Sequence, residues 1–91
     1  MSAAIRGLAR GDVAIRLIDL SIGGALVTAT GPLEPGTIHD LVLDLDGIAL
    51  PVQAEVRHCR TTDGGFQVGV AFIGIDPHDE QRLRAYLGGV R

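Results

Sequence analysis

The sequence has no Trp, one Tyr and two Phe. A core without aromatic bulk must be filled by Val, Ile, Leu and Ala, and with 46% hydrophobic residues there are enough of them to fold. Cysteine is equally scarce, with Cys59 alone. One cysteine excludes an intrachain disulfide and any C-x-x-C metal knuckle, and it suits a reducing compartment, so the expected location is cytoplasmic. No apolar run approaches the roughly 18 residues of a membrane-spanning helix. No signal-peptide core follows Met1, so membrane insertion is not expected. Positive charge is also short. Eight Lys plus Arg face eleven Asp plus Glu, giving a net charge of −3 and a pI near 5.4. An acidic domain attracts the DNA or RNA backbone poorly, so neither is expected as a partner. A local Arg cluster can still hold a small anion.

The signatures of catalysis are missing too. Ser21 does not sit in a G-x-S-x-G elbow. His39, His58 and His78 share no spacing that gathers them, and H-E-x-x-H is absent. His58 and Cys59 are neighbours in a strand pattern, so their side chains point to opposite faces and make no dyad. Asp44, Asp46 and Gly47 supply only part of a calcium loop and read better as a turn. The chain is expected to have no catalytic residues, no metal site and no cofactor. Its 91 residues fit one domain, 1–91, too small to enclose a deep active site.

What the sequence does have is short apolar runs separated by turn signals every 8–12 residues or so, the pattern of a small all-β sheet or barrel. A first strand is expected over residues 3–9, followed by a turn at Arg10-Gly11-Asp12. In residues 13–19, Val13, Ile15 and Leu17 alternate with Ala14, Arg16 and Ile18. A strand over 25–29 ends at Gly31-Pro32 and Pro35-Gly36. Residues 37–45 and 48–59 are joined by Asp46-Gly47, where glycine accepts the positive φ of a primed hairpin turn. In the second of these, Leu50, Val52, Ala54 and Val56 share one face, while Gln53, Glu55 and Arg57 share the other. Pro51 belongs at an edge or bulge, since it donates no ladder bond. Residues 66–74 form the last strand, after a turn at residues 61–65.

The remaining segment changes period. Asp76 is a helix N-cap with Pro77 in the first turn, and Asp79 and Glu80 complement the helix dipole. Leu83, Tyr86 and Leu87 form its apolar stripe, and Gly88-Gly89 ends it. The fold class is therefore all-β, about six antiparallel strands over residues 3–74 with one short C-terminal helix over 77–87.

One hexapeptide stands out. Asp19-Leu20-Ser21-Ile22-Gly23-Gly24 has the form D-x-S-x-x-G at a strand end. Residues 19 and 21 share a side. A carboxylate can accept two N–H groups, as on a guanine edge, while Ser adds a small donor and acceptor. Gly24 removes a side chain where a flat base must approach. The competing reading is a polar turn whose Asp and Ser cap local backbone.

The run Ile18 to Ala25 resembles the signature of the PilZ domain family. Ala54-Glu55-Val56-Arg57, the turn at Asp63-Gly64-Gly65 and Phe66 to Phe72 are similar to that family's closing hairpin. Arg82 to Leu87 is similar to its C-terminal helix. Together the likeness spans residues 12–88. It implies a six-stranded antiparallel barrel with an attached helix, a receptor for the bacterial messenger cyclic di-GMP. Such receptors act through a protein effector on motility, biofilm formation or exopolysaccharide synthesis. The ligand residues implied are Asp19, Ser21 and Gly24, together with two arginines of an R-x-x-x-R motif that hold phosphate and guanine.

A literal R-x-x-x-R is present at Arg6 and Arg10. In the family a whole strand and a turn separate the second arginine from the aspartate, whereas here only Gly11 to Ile18 intervene. Arg6 and Arg10 are then either the clamp on an unwound N-terminus or two exposed arginines of the first strand and its turn. Arg16, Arg57 and Arg60 are possible substitutes. Two functions follow from the resemblance: a cyclic di-GMP-binding signalling domain, or an adaptor that has lost nucleotide binding and works by protein contacts.

Overall fold

The protein's structure is a computed structural model that describes residues 3–6, 8–10 and 13–88. The chain forms strand segments β1 (Ala3–Arg6), β2 (Leu8–Arg10), β3 (Val13–Leu20), β4 (Gly24–Ala29), β5 (Ile38–Leu45), β6 (Ile48–Thr62) and β7 (Gly65–Ile75). A single helix, α1 (Pro77–Gly88), follows. All pairings are antiparallel, in the order β1-β5-β6-β7-β4-β3-β2.

The two ends of that order are consecutive in the chain. The expected first strand is thus delivered as two segments, one on each rim of the sheet: β1 pairs with β5, and β2 pairs with β3. Counted as one strand, they make a six-stranded, nearly closed barrel with one C-terminal helix. Near-closure leaves only short edges where a small open sheet would otherwise aggregate. Arg10 pairs with Val13 as the last residue of β2, where a turn position was expected. Gly11 and Asp12 of that turn lie outside the described residues, as does Gly89 at the helix end.

The interior is aliphatic. Val27, Leu43, Leu50, Val56, Val68 and Leu83 are each less than 2% exposed. The alternation Leu50, Val52, Ala54, Val56 points inward as the period of two requires. Asp46 and Gly47 both adopt positive φ, 52° and 88°, the signature of a primed turn between β5 and β6. Pro51 pairs with Val42 of β5 but precedes the first β6–β7 pair, Val52 with Ile75. On the β7 side the strand is still an edge there, where a missing N–H costs little.

Helix α1 starts as its sequence demands. Asp76 Oδ1 accepts the N–H of His78 at 2.8 Å, and Asp76 O accepts that of Glu80 at 2.8 Å. Its apolar stripe is narrower than the spacing implies. Leu83 is wholly buried and Tyr86 half-buried, but Leu87 is exposed. Leu83 enters the same core cluster as the barrel strands. Leu83→Ala is expected to lower stability by about 3 kcal/mol, the cost of a buried Leu-to-Ala cavity. A melt should show a fall of about 15 °C for a domain of this size.

Candidate functional site

The D-x-S-x-x-G segment sits where β3 stops being regular. Leu17 pairs with Val27 and Asp19 with Leu26, so Ile18 is an extra residue, a β-bulge. The bulge resets the alternation. Leu17 and Leu20 both turn toward the interior, half-buried, while Ile18 and Asp19 are both exposed. A second bulge lies on β6. Val56 pairs with Val70 and His58 with Gly69, which makes Arg57 the extra residue. Val56 is buried and Cys59 half-buried, with Arg57 and His58 both exposed between them.

The two bulges flank one row across four strands, Asp19–Leu26–Gly69–His58. The rows on either side of it point inward, so this row is on the outer face. Leu26 stands in the middle of the row, while Gly69 beside it and the neighbouring Gly24 have no side chains. The result is an open cleft of about 350 Å³. Asp19, Ser21 and Gly24 line one side of it, Arg57 and His58 the other.

Local bonds hold the first side in place. The turn is pinned by Ser21 N–H to Gly24 O at 2.9 Å, and by Phe72 N–H of β7 to Gly23 O at 2.9 Å. The Ser21 hydroxyl also donates to Gly24 O at 3.2 Å, and Asp19 Oδ1 accepts the N–H of Leu20 at 2.9 Å. These are the backbone caps of a polar turn. They leave a carboxylate with spare lone pairs and a hydroxyl oxygen with acceptor capacity on an exposed rim. Gly24 has a role that its motif position does not reveal. A Cβ built there would collide with the carbonyl oxygen of Val70 and come within 3.2 Å of Ala71 Cα. Its bareness is required by the close approach of the neighbouring strand β7, whatever binds in the cleft.

The arginines separate clearly. Arg57 lines the cleft and makes a 3.4 Å ion pair with Glu55. Arg60 donates from Nε and Nη2 to Gln67 Oε1 across the β6–β7 hairpin. Arg16 borders a different hollow, beside Asp63 and Gly64. Arg6 lies in β1, paired with Val42. Arg10 pairs with Val13 at the start of β3, six residues before Asp19. At about 3.3 Å per residue, that puts the two backbones about 20 Å apart along the barrel.

The order of strands, the outward D-x-S-x-x-G turn and the capped helix together define the fold and its exposed feature. The match to a known family decides the rest: residues 5–89 match the PilZ domain. The chain belongs to the PilZ family. These domains are regulatory binding modules of a cyclic di-GMP receptor family. A relative with a known product is the mannuronan synthase of Pseudomonas aeruginosa (strain PAO1). It is 32% identical over 90 residues, covering 91% of this chain. The chain spans only 23% of that relative's length. Among the described residues, no helix of this PilZ domain is long and apolar enough to cross a membrane.

Two members of the cleft, His58 and Gly69, carry no weight in a motif reading. For His58 the signal was a break in the period; for Gly69 there was none. Val56-Arg57-His58-Cys59 and Leu17-Ile18-Asp19-Leu20 each place two outward residues between two inward ones, which a regular strand cannot do.

Proposed function

We propose that this PilZ domain binds cyclic di-GMP in the cleft between β3 and β6 and passes its occupancy to a protein effector. The observation that carries this reading is the outward placement of Asp19 and Ser21, on a pinned turn, at the rim of an open cleft. A guanine presents N1–H and N2–H₂ side by side, and an exposed carboxylate is the acceptor that matches both. Ser21 lies two residues further on and adds a hydroxyl. The shallow opening suits a flat ligand that needs an edge and a face rather than an enclosed cavity.

In this reading the domain does no chemistry. It needs no cofactor, and its effect depends on what it touches when loaded. The kinship with a mannuronan synthase points to exopolysaccharide synthesis as the process controlled, with the effector a protein of that machinery. A messenger of this kind acts inside the cell, which places the domain in the cytoplasm. If Arg6 and Arg10 form the family's clamp, they must leave their pairings in β1 and β2; if they are exposed strand arginines, the phosphates are met by the cleft residues.

Isothermal titration of the wild-type domain with cyclic di-GMP tests the proposal. Saturable heat with a micromolar or tighter Kd is expected, and linear GMP should compete weakly. No heat at tens of micromolar protein overturns it. That outcome would favour the nucleotide-free adaptor, which the backbone bonds of Asp19 and Ser21 also fit. Partner capture would then be indifferent to added nucleotide.

A further inference from the structure

We infer that Arg57 and His58 of β6 form the second wall of the nucleotide site, the guanidinium taking a phosphate and the imidazole the face of a guanine. The inference rests on the cyclic di-GMP reading above and adds to it the residues opposite Asp19. It starts from the β6 bulge. By inserting Arg57, the bulge places two consecutive polar side chains on the outer face, directly across the row from Asp19. A regular strand would have turned one of them into the core.

The imidazole has a distinctive seat. His58 pairs with Gly69, and a Cβ built on Gly69 would collide with ring atom Nε2 and lie 2.6 Å from Cε1. The ring therefore lies over the bare backbone of β7 and covers Gly69, which is buried although it faces outward. A flat ring laid on the floor of a cleft offers its other face to a base. Aromatic platforms of this kind hold bases without demanding a particular edge.

Arg57 answers a charge problem. The ligand carries two phosphates, while Asp19 at the rim and Glu55 beside Arg57 are both acidic. Among the described residues that line the cleft, Arg57 is the only Arg or Lys. Its pair with Glu55 is a weak hold, since the Arg57 side chain is 60% exposed. A phosphate can displace that partner and gain a charge-assisted, bidentate contact. Glu55 is then a brake on the site, and its neutralisation should help binding.

The test is titration of cyclic di-GMP into wild type, Asp19→Ala, Arg57→Ala, His58→Ala, His58→Phe, Gly69→Ala and Glu55→Gln, each checked by thermal melting. Arg57→Ala is expected to weaken binding by about 10- to 100-fold, the range for a lost charge-assisted hydrogen bond. His58→Ala should lose about tenfold, and His58→Phe should recover most of it, because stacking needs only the planar face. Gly69→Ala should mimic His58→Ala by lifting the ring, and Glu55→Gln should tighten binding. Chemical-shift changes in the His58 ring carbons on titration would report the contact directly. If wild type binds and Asp19→Ala loses binding, while Arg57→Ala and His58→Ala both bind within about twofold of wild type, the second wall is wrong and the first stands. If wild type itself does not bind, both readings fall.

Discussion

Gly24→Ala is expected to destabilise the domain by about 4 kcal/mol, at the severe end of single substitutions. The reason is steric and local. Gly24 pairs with Ala71 in the first pair of the β4–β7 ladder, and a methyl group there would run into the carbonyl oxygen of Val70. A backbone atom cannot swing aside as a side-chain tip can. Relief requires this end of the two strands to part, which gives up the neighbouring ladder bonds, the Phe72 N–H to Gly23 O bond that pins the turn, and the packing of Val70. For a domain of this size the melting temperature should fall by about 20 °C. Gly23→Ala is the matched control, because a Cβ at Gly23 meets nothing within 4 Å. It should melt within a few degrees of wild type, as surface changes of about 0.5 kcal/mol or less do. If Gly24→Ala melted like Gly23→Ala, the close approach of β7 would be wrong. The third motif position would then have to be explained by ligand contact alone.

This division of roles within one hexapeptide shows what sequence can and cannot carry. The strand faces were readable because burial imposes a period of two, and Leu50 to Val56 keep it without error. The primed turn was readable because Asp46-Gly47 is chemistry local to two residues. The helix start was readable for the same reason, through Asp76 and Pro77. The split of the first strand was not, because β1 and β2 differ only in which distant partner they meet, β5 or β3. Leu87 looked like a core residue because helical spacing marks a stripe but not its width, and the barrel offers room for Leu83 and half of Tyr86 only.

The site was half legible. Asp19 and Ser21 announce themselves as polar residues at a strand end. Arg57 was visible as one of three interchangeable arginines, and only tertiary structure separates it from Arg16 and Arg60. The partnership of His58 with Gly69 was silent, since a histidine and a glycine eleven residues apart meet only through the β6–β7 register. The bulges were written in the pattern of paired outward residues, because a shift of one swaps the faces of a strand, but Ile18 hides the one on β3 by being apolar and outward.

Asp19→Ala is expected to abolish measurable nucleotide binding or weaken it by about 100-fold, and the sign of the change matters more than its size. Asp19 is a negative charge at the rim of a cleft proposed to take a ligand with two negative phosphates. Were Asp19 only a turn residue, its removal would relieve like-charge repulsion and binding would tighten. Were it the acceptor for a guanine edge, its removal would strand two donors and binding would collapse. The two roles thus predict opposite directions in one titration. Asp19→Asn sharpens the contrast. It removes the charge while keeping the size and one carbonyl acceptor, so a turn role predicts tighter binding and an edge role predicts loss, because the amide NH₂ faces guanine donors. Folding should not confuse the result. Asp19 is exposed, and its described bond is to the adjacent Leu20 N–H. Both variants should melt within a few degrees of wild type. Raising the salt concentration supplies the last discriminator: it weakens the phosphate contribution of Arg57 but leaves a short, directional carboxylate–guanine contact in place. The ratio of wild-type to Asp19→Asn affinity should therefore persist as both affinities decline.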